Sequence, residues 1–318
     1  MIGALCSGGD HPAIRTGSAK PWTVSVGYRY QESFRHFIGT VEQKQREILG
    51  TQIFNTYHLL DVSVSRQLTP RWSAQVSLPI LFADRNQLYV PRGDFHVNSI
   101  GDMTIGGRAA LLPPTESGSN ILLGASLKLP TGKYNATGAA VDRNGNPIQA
   151  TADQSIQAGD GRTGFALDVQ MFRSIWFRSM LYFTGVYLFN PSDTNGVNTF
   201  RTRAGEQVMS VPDQYLFRGG LSRAVPGIRG LTATFGGRIE GVPVRDAFGK
   251  SNGFRRPGYA ISVEPGAMYA RGSYIFSGNI AFAVERNRRR SVPDIQNGTH
   301  GDAAFADWVL TAGISRRF

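Results

Sequence analysis

One cysteine, Cys6, is all the chain has in 318 residues, so no disulfide can form within it. No stretch approaches the roughly 18 consecutive apolar residues of a membrane helix, which excludes helical spans. The histidines His11, His36, His58, His96 and His300 are scattered among dispersed acids, without the cysteine and histidine spacing of a zinc site. No metal and no other cofactor is therefore expected. Residues 1–20 lack the basic start and long apolar core of a secretory signal, so the start of the sequence reads as truncated or misplaced. Cys6 follows Gly3-Ala4-Leu5, and Leu5 stands where a lipidation site requires a small residue, so it reads as a residue of a flexible terminus.

Acids are in deficit, 23 against 34 lysines and arginines, for a net charge of +11. That balance raises nucleic acid as a partner. No recognition helix, zinc pattern or aromatic RNA-binding motif accompanies it, and no nucleic-acid role is expected.

What the chain does have is alternation. In the final segment Trp308, Leu310, Ala312 and Ile314 alternate with Val309, Thr311, Gly313 and Ser315, giving one oily and one more polar face, and the chain ends on the aromatic Phe318. Such an ending is like the insertion signal of bacterial outer-membrane barrels. The same period of two recurs near 22–30, 53–66, 72–81, 100–112, 120–130, 163–173, 178–189, 213–224, 230–241, 258–270 and 274–285. The segment 178–189 is apolar on both faces, which leaves its register open. Breaks near 67–71, 112–119, 174–177, 225–229 and 271–273 are mostly short. Those near 32–52, 82–99, 131–162, 190–212, 242–257 and 286–303 are long, and the two classes alternate.

Regular alternation of short and long connections is expected when one rim faces the periplasm and the other the medium. The fold class predicted is all-β, a 12-stranded antiparallel transmembrane barrel over residues 21–318, preceded by a flexible segment at 1–20. A hydrophobic share of 41% fits, because a barrel strand turns only half of its side chains to lipid. Trp22, Trp72, Tyr215, Tyr259, Tyr269, Tyr274 and Trp308 are expected in the interface belts. The bore of such a barrel admits small molecules at most, and a loop or the first 20 residues is a candidate plug.

The parity that turns apolar residues outward turns Arg29, Asp61, Gln75, Asp102, Arg108, Lys128, Asp168, Arg218, Arg238, Glu240, Glu264 and Glu285 into the lumen. Two roles are open for them: pairing across strands to fill the bore, or lining a solute path. The run Arg286, Arg288, Arg289 and Arg290 is expected on the outer rim, as a solvated loop or against lipopolysaccharide phosphates. No enzyme is expected, because no histidine stands two residues from a serine on one strand face; near His96 the closest serine, Ser99, has the opposite parity.

Three motifs carry a resemblance. Ile100-Gly101-Asp102-Met103-Thr104-Ile105-Gly106-Gly107-Arg108, Leu127-Lys128-Leu129-Pro130-Thr131-Gly132-Lys133-Tyr134 and Val263-Glu264-Pro265-Gly266-Ala267-Met268-Tyr269 resemble the outer-membrane family described as meta-pathway phenol-degradation-like. The resemblance implies a barrel that passes small, hydrophobic or aromatic solutes across the bacterial outer membrane. Its partners would be the lipid bilayer, the assembly machinery, lipopolysaccharide and the solute itself. A non-conducting surface barrel acting through its outer loops is the alternative.

Overall fold

The computed structural model describes residues 20–112 and 119–318. Cys6, the candidate amino-terminal plug and the turn at 113–118 lie outside the described residues.

Alternating apolar residues fold as strand because side chains on a pleated backbone point to opposite faces in turn. The strands run β1 (Trp22–Ile38), β2 (Val41–Glu42), β3 (Asn55–Gln67), β4 (Trp72–Gln87), β5 (Gly93–Ile100) and β6 (Thr104–Ala110). They continue as β7 (Asn120–Lys128), β8 (Thr137–Val141), β9 (Pro147–Thr151), β10 (Gly164–Ile175), β11 (Ser179–Phe189) and β12 (Thr194–Asn198). The remainder are β13 (Val208–Ser210), β14 (Gln214–Ala224), β15 (Leu231–Val242), β16 (Gly258–Arg271), β17 (Tyr274–Arg288) and β18 (Ala303–Arg317).

Fourteen of these segments share one antiparallel sheet. β2 is a two-residue appendage of β1, and β5 and β6 are successive halves of one stave, both hydrogen-bonded to β4, so the wall has twelve staves. β18 returns to pair with β1 from Thr23↔Arg317 to Phe37↔Ala303, and the sheet closes without an exposed edge. The 12-stranded antiparallel barrel read from the sequence is the observed fold.

The faces also fall as expected. On β18, Trp308 and Ile314 are exposed, while Thr311 and Ser315 are buried toward the bore. Leu123, Leu127, Val263 and Phe282 stand out from the wall, and Phe235 is 62% exposed. Leaving such side chains in water would cost about 25 cal/mol per Å² of apolar surface, so acyl chains are the solvent that suits this band. The open register of β11 is settled by its neighbours: Leu181 and Phe183 face out, Val186 and Leu188 face in. At one short-turn rim Tyr269, Tyr274 and Phe276 stack, and Arg316 lies over Phe318.

Three connections differ from the reading above. β4 and β5 run on to Gln87 and back from Gly93, so most of the supposed long loop at 82–99 is a hairpin. Asp84, Arg85 and His96 gave that stretch the polarity of a loop, yet Ala83, Phe95 and Val97 keep the period of two on its buried face. β1 likewise runs on to Ile38, inside the supposed loop at 32–52.

The 131–162 connection does not project outward. Its hairpin of β8 and β9 and its helical turn Gln154–Ile156 pack on the inward residues Leu59, Leu81, Ala83, Phe95 and Val97. Ala136, Ala140, Ala150, Ala152, Ile156 and Ala158 complete that cluster. Alanines let the backbones come close, and each buried Leu, Ile, Val or Phe contributes about 1.5–3 kcal/mol.

Candidate functional site

The root of the in-folded segment is built from two of the motifs noted in the sequence. β5 and β6 are interrupted at Gly101, Asp102 and Met103. There the Asp102 carboxylate accepts the backbone N–H groups of Gly132 at 2.9 Å and Asp160 at 3.0 Å. Thr131 Oγ1 donates to the Gly101 carbonyl at 2.9 Å and accepts from the Met103 N–H at 2.9 Å. Lys128 pairs with Asp160 and lies 3.9 Å from Asp102. A Cβ on Gly132 would stand 2.8 Å from the Gly101 carbonyl carbon and from Gly159 Cα, so three backbones converge only because these positions are glycine. Asp102 and Lys128, expected among lumen-lining residues, are thus buried anchors of this junction.

The middle of the bore holds most of the other inward charges. Arg29 makes a fork to Glu240, at 3.0 and 3.1 Å, with three staves of the ring between them, so this pair is a chord through the lumen. Arg238 donates to the same carboxylate at 2.7 Å, and Glu264 lies between Arg218 at 3.6 Å and Arg238 at 3.9 Å. On the opposite wall Arg108 pairs with Asp168 at 2.8 Å and donates to Gln75 at 3.2 Å. Gly124 makes room for the Asp168 carboxylate, which occupies the place a Cβ would take. Asp61 accepts from Ser77. The signs nearly balance, and the lumen is a mixed polar ladder.

Glu285 is a correction. An irregularity in the β16 and β17 pairing places Ile261 opposite Glu285 but Ser262 opposite Ala283, so Val284 is an extra residue that reverses the parity beyond it. Glu285 therefore faces outward, where Tyr259 donates to it at 2.8 Å. The same reversal turns Arg286 and Arg288 inward, although both were expected on the solvent-exposed rim. Arg286 bonds Asp307 at 2.6 Å and Arg288 bonds Asp294 at 3.0 Å, leaving Arg289 and Arg290 exposed.

At the outer mouth the loops are knitted together. Asp153, fully buried, takes a two-pronged pair from Arg256 at 2.7 Å and lies 3.7 Å from Arg85. Burial would push its carboxyl up, but the two guanidiniums hold it well below the usual carboxylate range. Arg255 bonds Asp246 and Ser210, Asn252 bonds Asp193, and Asn297 reaches Ala204. Arg201 and Arg256 lie over the ring of Phe254 at 3.9 and 4.7 Å. These loop arginines were missed as site residues. The available signal was their placement directly beside aromatics, in Phe200-Arg201 and Phe254-Arg255-Arg256.

Asp302 ties the first outer loop to this mouth, with His36 Nδ1 at 3.1 Å and Arg46 Nε at 2.6 Å. Burial would raise its carboxyl, but the His36 hydrogen bond and the Arg46 charge outweigh it and hold the pKa at about 2. A lowered folded-state pKa gives stability that is complete above the ordinary carboxylate value and lost as pH falls toward the folded one. Melting temperatures taken from pH 5 to pH 2 should fall more steeply for the native chain than for Asp302→Asn, the difference developing between about pH 4 and pH 2.

No known family profile and no curated protein sequence matches the chain. Solved structures do. An outer-membrane channel from Pseudomonas putida F1 is similar with a TM-score of 0.67 at 13% identity, over 98% of this chain and 100% of that one. The β domain of the Bordetella autotransporter BrkA gives 0.53 at 14%, over 94% and 100%. The translocator domain of the autotransporter NalP from Neisseria meningitidis gives 0.51 at 10%, over 96% and 91%. At these identities the likeness establishes the fold, a barrel of the outer-membrane type.

Proposed function

We propose that the protein is a channel of the bacterial outer membrane for small solutes, hydrophobic or aromatic ones among them, and that it does no chemistry. The observation that carries this reading is the bore itself. It is lined by paired charges of both signs, and the Arg29 and Glu240 pair crosses it as a chord. A polar ladder of this kind sets an electrostatic barrier and a width for whatever passes. The similar structure from Pseudomonas putida, described as an outer-membrane channel, supports the same reading. A folded polypeptide substrate is disfavoured, because the in-folded segment and the chord both occupy the bore.

The alternative, an adhesive surface barrel, would need loops that project to meet a partner. Here the described outer loops are bonded to one another and to the mouth. Contact with lipopolysaccharide phosphates, as part of the proposal, now rests on Arg289 and Arg290. Insertion by the assembly machinery would be directed by Phe318, whose aromatic ring stands exposed at the end of the last stave.

Single-channel recording in a planar bilayer tests this function. Discrete steps are expected, and Glu240→Gln, which removes one half of the chord, should enlarge them and shift ion selectivity toward anions. A silent bilayer containing folded protein would favour the scaffold.

A further inference from the structure

Four arginines gather at the outer mouth around a cavity of about 350 Å³. That volume is within the range of small-molecule sites, roughly 300–1,000 Å³. Arg46, Arg201, Arg203 and Arg288 line it, against the two carboxylates Glu206 and Asp302. Arg288 and Arg46 have close partners of their own, Asp294 at 3.0 Å and Asp302 at 2.6 Å. Arg201 and Arg203 must share Glu206, each at 3.5 Å, and Arg203 also lies 3.5 Å from Asp294. The Arg201 Nε is buried without a hydrogen-bond partner. Burial and the nearby Arg256 both work against its charged form. Arg201 also lines a smaller adjoining cavity of about 60 Å³, whose walls include Tyr57 and Tyr89 and the inward residues Ser33 and Asn55. The apolar part of the larger cavity's wall is Ile38 and Phe254.

We propose that this mouth is a binding site for a small aromatic carboxylate, its carboxylate taken by Arg201 with Arg203 and its ring lying against Ile38 and Phe254 in the same cavity. The inference builds on the channel reading and names the solute class that enters. A planar carboxylate matches the guanidinium fork and supplies the negative charge that Glu206 divides between two cations. A neutral hydrocarbon would leave that charge uncompensated, and inorganic phosphate would leave the apolar wall of Ile38 and Phe254 unused.

The test is calorimetric titration of the full chain folded in detergent, with benzoate, benzyl alcohol and inorganic phosphate as probes. Folding of each variant is checked by its heat-modifiable gel mobility. Benzoate should bind at least about tenfold more tightly than either other probe, a difference of about 1.4 kcal/mol. Arg201→Gln should lose about tenfold in benzoate affinity, with Arg201→Lys in between because the planar fork is gone. If Arg201→Gln does not fold, Arg203→Gln is the second variant; it gives Glu206 wholly to Arg201 and should weaken benzoate in the same direction. Equal affinity for benzoate and benzyl alcohol, or benzoate binding unchanged by these substitutions, would overturn the proposal. Phosphate binding as tightly as benzoate would overturn the aromatic specificity. Binding here needs no bilayer, so a silent bilayer with intact benzoate binding removes the channel and leaves the site.

Discussion

Asp102→Ala should release the in-folded segment from the wall. The Asp102 carboxylate holds two backbone N–H groups, those of Gly132 and Asp160, and lies beside Lys128. Hydrogen bonds to a charged group contribute about 1.5–3 kcal/mol each, and the Gly132 donor left behind is buried, so the loss is large and local. Amide exchange of residues 129–162 should accelerate, while the staves β14 to β17, on the other side of the ring, keep their protection. Exchange unchanged in that segment would show that its apolar packing alone holds it in place.

Leu310→Arg should impair insertion far more than Thr311→Arg. Leu310 stands on the lipid face of β18, and Thr311 faces the bore directly across from Arg29. An arginine at lipid depth costs about 2–4 kcal/mol, whereas one in the polar bore meets charges of both signs, Glu240 among them. Folding yields into lipid vesicles measure the difference. Equal yields would contradict the register of the last stave.

The staves were legible in the sequence because lipid on one side and a polar bore on the other impose a period of two that short strands cannot hide. β11 was ambiguous for a physical reason: Val186 and Leu188 face in while Leu181 and Phe183 face out, so both faces are apolar and the alternation vanishes. The same double apolarity in Ile80-Leu81-Phe82-Ala83 was the trace of the in-folded segment, since Leu81 and Ala83 are buried against it inside the barrel. Glu285 was misplaced because one extra residue, Val284, inverts parity and leaves no mark in composition. The arginines of the outer mouth were missed as site residues because their partners are remote: Arg256 and Asp153 are 103 positions apart. Sequence pattern reports which face a side chain occupies within a strand. It does not report which loops meet above it.

The apolar outer band has only one suitable solvent, so the most direct measurement is the state of the refolded chain with and without amphiphile. A monomer with protected strand amides is expected in detergent micelles or lipid vesicles, and aggregation is expected after transfer to plain buffer. A compact, soluble monomer in plain buffer would contradict the transmembrane barrel and everything built on its bore.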